Sequence, residues 1–178
     1  YKGISLSGNV NVKGSYLPWF SAYSDEVMLP LRTQGGAYSS GISIKADNDS
    51  IAMYTAMDSS PAISYSVMNS GWDVMRDALL NESDLNSYAL SSLAAMNMVS
   101  TGAIGREQRI HELAYLYGKE RGEDILNGSK NALLSEKDEA IEALESAFNS
   151  NSFIFYAGPE QLLAPIQDEF PLVIDLRQ

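Results

Sequence analysis

Apolar and polar residues alternate at the start of the chain, where Ile4, Leu6, Val10 and Val12 are set against polar neighbours. A period of two belongs to a half-buried strand, and Gly8 inside it suggests a bulge. The period then lengthens. Leu17, Phe20, Val27, Met28 and Leu31 suit a helix from Tyr16 to Leu31, with Pro18 and Pro30 near its ends. Gly35-Gly36 releases the backbone, after which Tyr38, Ser40, Ile42 and Ile44 alternate with Ala37, Ser39, Gly41 and Ser43. Asp47-Asn48-Asp49-Ser50 is rich in turn formers and alternation resumes over Ile51 to Met57, so an antiparallel hairpin is predicted.

Helical spacing dominates from Pro61 onward. Ser60-Pro61 reads as an N-cap followed by proline in the first turn, and Ile63, Val67, Met68, Met75 and Leu79, with Trp72 between, mark a long helix against the sheet. A second helix follows Ser83 through Leu85, Tyr88, Ala89, Leu93 and Met96. Gly102-Ala103-Ile104-Gly105 links it to a third, striped by Ile110, Leu113, Ala114 and Tyr117, with Gly118 and Gly122 as candidate stops. Residues 123–134 read as a short helical piece. Ser135 with Asp138 resembles a capping box, and Ala140, Ile141, Leu144, Ala147 and Phe148 supply the buried face of the next helix. Phe153 to Ala157 reads as a buried strand, Gly158-Pro159 as a turn into a short helix through Leu162, Leu163 and Ile166, and Leu172 to Leu176 as a last strand. Without a long linker, repeat or low-complexity stretch, residues 1–178 are expected to form a single α+β domain, an antiparallel sheet flanked by a run of helices.

Composition narrows the function classes. With 45% hydrophobic residues the chain can bury a core, and no apolar run approaches the ~20 residues of a membrane helix. Twelve basic against 23 acidic residues give a net charge of −11, which argues against nucleic acid and anionic membrane as partners and favours a basic peptide over either. The absence of cysteine removes disulfides, thiolate zinc sites and thiol nucleophiles, and leaves the compartment open.

The chemistry-bearing candidates are few. His111-Glu112-Leu113-Ala114-Tyr115 matches four-fifths of an H-E-x-x-H zinc motif, with tyrosine in place of the second ligand. Neighbouring helical residues point about 100° apart, so His111 and Glu112 read as a polar pair on an exposed face and no metal is assigned. The acidic set Glu136, Asp138, Glu139, Glu142 and Glu145 reads as a solvated helix face, and Tyr65, Trp72 and Tyr88 as core packing. Phosphate-binding, dinucleotide, nucleophile-elbow and EF-hand motifs do not occur.

Leu31-Arg32-Thr33-Gln34-Gly35-Gly36-Ala37-Tyr38-Ser39-Ser40-Gly41 combines a cation, a flexible turn and a phenol at fixed spacing. Singly, Arg32 is a cation complementing a helix C-terminus and Tyr38 an amphipathic residue on a sheet. Together they resemble the R-x-x-G-G-A-Y signature in the last domain of presequence-protease-like members of the insulinase/pitrilysin superfamily. The order of elements is similar over most of the chain. Two departures stand out: Ser39-Ser40-Gly41 follows the tyrosine where that branch has another glycine, and Thr55 to Pro61 keeps only the aspartate and a displaced proline of its Y-R-D-P-like turn.

The resemblance implies a processing-peptidase-like domain lacking its N-terminal strands, its sheet edge covered by a homodimer partner or a complementing fragment. It also implies that Arg32 and Tyr38 bind peptide substrate and stabilise charge on the attacked carbonyl, the donors a developing oxyanion wants. Zinc is then expected in the N-terminal domain of the parent metalloendopeptidase, this chain alone being inactive. The alternative is an inactive homologue acting as a scaffold or partner subunit.

Overall fold

A computed structural model describes residues 2–11, 13–45, 49–97, 111, 114–115, 118–150, 152–169 and 174. Four strands, β1 (Gly3–Asn9), β2 (Ser39–Lys45), β3 (Ser50–Ala56) and β4 (Phe153–Ala157), form an antiparallel sheet in the order β2-β3-β1-β4. Five helices with both bounds among the described residues accompany it: α1 (Leu17–Thr33), α2 (Pro61–Asp77), α3 (Glu82–Asn97), α4 (Lys119–Asn127) and α5 (Lys137–Ser150). None of the described helices is long and apolar enough to cross a membrane.

The alternation in β1 does what a period of two requires. Ile4 and Leu6 are buried beneath the helices, while the intervening Ser5 faces Tyr54 on one side and Phe155 on the other. Gly8 is not a bulge, because it pairs in register with Ile51. Its missing side chain serves a different contact: a Cβ there would stand 2.1 Å from the Ala147 carbonyl of α5, so glycine lets that helix lie directly on the strand.

Helix α1 is the central element. Trp19, Phe20, Ala22 and Tyr23 are fully buried, and the Tyr23 hydroxyl donates to the Met68 carbonyl of α2 at 2.9 Å. Pro18 sits in the first turn, where its missing amide is harmless, and Pro30 lies inside the last turns without ending the helix. The two helices approach closely at Gly71, where a Cβ would be 2.2 Å from a Val27 methyl. The buried stripe of α2 is therefore Pro61, Ser64, Met68, Gly71, Trp72 and Met75. Ile63 is outward and Leu79 is 98% exposed, both contrary to the hydropathy reading, because small residues took the contact positions.

The remaining boundaries follow local hydrogen bonds. Helix α3 starts at Glu82 rather than after Ser83, since the Asn81 side chain accepts from the Ser83 and Asp84 amides while Asp84 accepts from Asn81. Gly118, at φ 82°, separates helical residues around Ala114 from α4, whereas Gly122 is buried inside α4 and stops nothing. The turn before α5 is capped by Glu136, whose carboxylate accepts the Leu133 amide at 2.8 Å; Ser135 lies within a 3-10 turn instead of capping with Asp138. All five apolar positions expected of α5 are buried. Glu136, Glu139 and Glu145 do more than solvate that helix: they hold Ser15, Lys13 and Arg76 respectively.

Strand β4 is an edge strand, with Phe153 67% and Phe155 53% exposed, so the expectation of a buried strand is corrected. A short apolar run does not reveal whether its second face is covered. Gly158-Pro159 leads into two 3-10 turns, with Ile166 buried, as expected of a short helical segment. The expected last strand at Leu172 to Leu176, the Gly102 to Gly105 link, and Ile110, Leu113 and Tyr117 of the third helical stripe lie outside the described residues.

Candidate functional site

The segment from Arg32 to Tyr38 connects the end of α1 to the start of β2. Pro30 accepts the Gln34 amide at 2.8 Å as the helix ends, and the Ala37 amide donates to the Leu31 carbonyl at 3.2 Å. This second bond closes the loop on itself. Leu31 and Ala37 are both buried, so the closure is fixed against the core, and the residues that follow each of them are exposed. Arg32 occupies the last turn of α1, and Tyr38, 74% exposed, immediately precedes β2. The backbone thus brings the attachment points of the two side chains near one another, each one residue beyond the same hydrogen bond.

Both glycines are required where they stand. Gly36 has φ 72°, a conformation that costs an L side chain roughly 1–2 kcal/mol, and a Cβ on it would meet the Ser59 hydroxyl oxygen at 2.3 Å. A Cβ on Gly35 would lie 2.2 Å from the hydroxyl of Ser64, a buried residue of α2 whose Oγ has no hydrogen-bond partner. The loop is accordingly laid on the start of α2, with the Ser59 Oγ 3.5 Å from the carbonyls of Gly35 and Gly36.

Sequence reasoning noted the aspartate beneath that contact only as a remnant of a Y-R-D-P-like turn and gave it no role. Asp58 is completely buried; its carboxylate accepts the Thr55 hydroxyl at 2.6 Å and the Ser60 amide at 2.9 Å. Ser60 does occupy the N-cap position of α2, but its own side chain makes no cap bond, and Asp58 satisfies the helix start instead. The available signal was an aspartate two residues ahead of a Ser-Pro helix start, a spacing at which a carboxylate reaches a free amide. Thr55 in turn accepts the Ile4 amide at 3.2 Å, which ties the corner to β1.

Arg32 and Tyr38 make no hydrogen bond or ion pair with another described residue, leaving an exposed cation and an exposed phenol O–H as donors without a described partner. They suit an anionic or carbonyl oxygen. A zinc ion finds no such fit. Among the described residues no group of three His, Asp or Glu side chains could hold a metal, and the single His111 is exposed on a helix. A catalytic zinc needs three protein ligands, which this donor set lacks.

Comparison with solved structures places the architecture. The chain is similar to the periplasmic protease PqqL from Escherichia coli, with 15% identity and a TM-score of 0.58 over 89% of this chain and 19% of that one. It is also similar to the inactive peptidase domain of a candidate zinc protease from Bordetella parapertussis, with 8% identity and a TM-score of 0.65 over 89% of this chain and 92% of that domain. The fold is that of an insulinase-type peptidase domain. A predicted insulinase family protease from Yersinia pestis gives 12% identity and a TM-score of 0.52 over 94% of this chain and 42% of that chain. Compared by sequence, the chain matches no protein-family model and no curated protein. The likeness is therefore one of architecture, and this chain spans about a fifth of PqqL.

Proposed function

We infer that this chain serves as the non-catalytic, C-terminal domain of a zinc metalloendopeptidase of the insulinase type, of the presequence-protease-like branch. In this reading Arg32 and Tyr38 hold a peptide substrate and stabilise the charge that develops on its attacked carbonyl. The observation that supports it is the Ala37–Leu31 hydrogen bond, which closes the R-x-x-G-G-A-Y segment so that the exposed Arg32 and Tyr38 each follow one of its two bonded residues. Zinc and the water it activates belong to an N-terminal domain of the complete peptidase, in keeping with the lack of a three-ligand group among the described residues here. The chain alone hydrolyses nothing.

The test is peptide cleavage by the complete protein that contains this domain. Arg32→Ala or Tyr38→Phe is expected to lower turnover by about 10²-fold or more, the usual effect of losing one oxyanion donor. Unchanged cleavage in both variants would reduce the loop to a structural turn.

A scaffold or partner-subunit role is the second reading, favoured by the likeness to a domain described as inactive that is matched over 92% of its length. It predicts that the complete protein cleaves no peptide and copurifies with a second, zinc-bearing subunit.

A further inference from the structure

We propose that Asp58 is a positioning residue that sets the conformation of the Arg32–Tyr38 loop from beneath. The assignment of Arg32 and Tyr38 to peptide binding rests on the function proposed above; the mechanical part stands on geometry alone. A buried carboxylate is expensive to hold unless hydrogen bonds replace its water, and among the described residues Asp58 has no cationic partner. It is held instead by the Thr55 hydroxyl and the Ser60 amide, while its own amide donates to the Lys2 carbonyl at 3.2 Å. The Asp58 side chain thereby joins the end of β3 to the N-cap of α2, and its main-chain amide ties both to the residue before β1.

What this junction fixes is the surface on which the glycine turn rests. Met57, at φ 51°, turns the chain out of β3 so that Asp58 points inward and Ser59 outward. The Ile63 and Ser64 amides both donate to the Ser60 carbonyl, at 2.9 and 3.1 Å, so the residue that Asp58 holds by its amide also starts the helix that carries Ser64. Ser59 and Ser64 are the nearest obstacles that Cβ atoms on Gly36 and Gly35 would meet, the Leu31 carbonyl also standing 2.8 Å from the latter. The path from Asp58 to the loop is therefore two contacts long: carboxylate to Ser60 amide, then serine hydroxyls against the bare glycine backbone. If the corner relaxes, Gly35 and Gly36 lose their support, and the Ala37–Leu31 bond between Arg32 and Tyr38 opens more often.

Native-state hydrogen exchange of the full chain reads that opening directly, since amide protection reports local unfolding. In Asp58→Asn, which keeps the side-chain shape but withdraws one carboxylate acceptor, the Ala37 amide should exchange at least about tenfold faster, the scale of one lost charge-assisted hydrogen bond. Amides of Leu6 and Met53 at the sheet centre should keep their protection. Ser59→Ala, at an exposed position that folding tolerates, should speed Ala37 exchange by a smaller factor. Binding of a fluorescein-labelled unfolded basic peptide, followed by anisotropy, should weaken in Asp58→Asn as it does in Arg32→Ala, with Ala37 exchange altered only in the former. Unchanged Ala37 exchange in both Asp58→Asn and Ser59→Ala overturns the proposal, as does acceleration shared equally by Leu6 and Met53, which would make Asp58 a merely structural residue. Faster Ala37 exchange with peptide affinity indifferent to Arg32→Ala and Tyr38→Phe would uphold the positioning role and sink the peptide-binding reading instead.

Discussion

Gly36 and Ser59 are packed so closely that a methyl group on the glycine would stand 2.3 Å from the serine hydroxyl oxygen. The contact joins the loop after α1 to the turn before α2 across 23 residues of sequence. It also puts two distinct obstacles in the way of any side chain at position 36, a positive φ and a steric clash.

Those obstacles are separable by a double-mutant cycle. Gly36→Ala should lower unfolding stability by about 2–3 kcal/mol, the backbone penalty plus part of the clash. Ser59→Gly alone should change it little, being exposed. Combined, the two should recover the steric share while the backbone share persists, giving a coupling of at least about 0.5 kcal/mol in urea denaturation. Strict additivity would show that the loop is not seated on Ser59.

A second stability prediction concerns the helical layer. Trp72 of α2 stacks on Phe148 of α5, with ring centroids 6.1 Å apart and planes inclined by 17°. Both rings are buried, so Phe148→Ala should cost about 3–5 kcal/mol, including the cavity it leaves. Phe148→Leu should cost less. A loss below about 1 kcal/mol for the alanine variant would mean that α5 is not packed as described.

The contrast between α5 and β4 shows how much of this fold was legible in the sequence. An amphipathic helix writes its buried face into its spacing, and Ala140, Ile141, Leu144, Ala147 and Phe148 were readable for that reason. Phe153 to Ala157 carries no such record, since edge and central strands share the same short apolar composition, and only the sheet order places it at the edge of the four described strands. Small and polar contact residues were equally silent: Ser64 and Gly71 sit on the buried face of α2 because α1 and the glycine loop come too near for larger groups.

At the candidate site, the exposed half was legible and the supporting half was not. Arg32, Gly35, Gly36 and Tyr38 announce themselves as a motif. Asp58 stands between Met57 and Ser59, and its spacing from Ser60-Pro61 signals a bond to the turn without revealing that the carboxylate is buried. Its hydrogen-bond donors come partly from Thr55 across the turn, and its burial depends on β1 passing beside it.

Metal content follows from the side-chain inventory. One exposed histidine and no cysteine supply too few ligands for a closed zinc site, and the described carboxylates form no group of three. Elemental analysis of the purified chain should therefore find zinc well below one per molecule, with no change in His111→Ala. One tightly held zinc per chain, lost on that substitution, would contradict the placement of catalysis in another domain.

Alkaline pH should destabilise the domain through its buried phenols. Burial pushes the Tyr23 hydroxyl well above its ordinary value, and burial is likewise the leading cause of the upward shifts at Tyr16, Tyr88 and Tyr156. Below about pH 10 both folded and unfolded chains keep these protons, so Tyr23 retains its full contribution, including the bond to Met68. As pH rises past that value the unfolded chain releases the proton while the folded chain holds it, so unfolding is favoured and stability falls. A single such group contributes a slope approaching about 1.4 kcal/mol per pH unit between its unfolded and folded values. Tyr23→Phe should cost about 1 kcal/mol at neutral pH, from the lost hydrogen bond, and should flatten the alkaline decline. Urea midpoints measured from about pH 8 to 11 for the parent and Tyr23→Phe would show this as curves that converge with rising pH. Parallel curves would mean that the Tyr23 hydroxyl reaches solvent in the folded state, and with it that α1 and α2 are not sealed against each other at Met68.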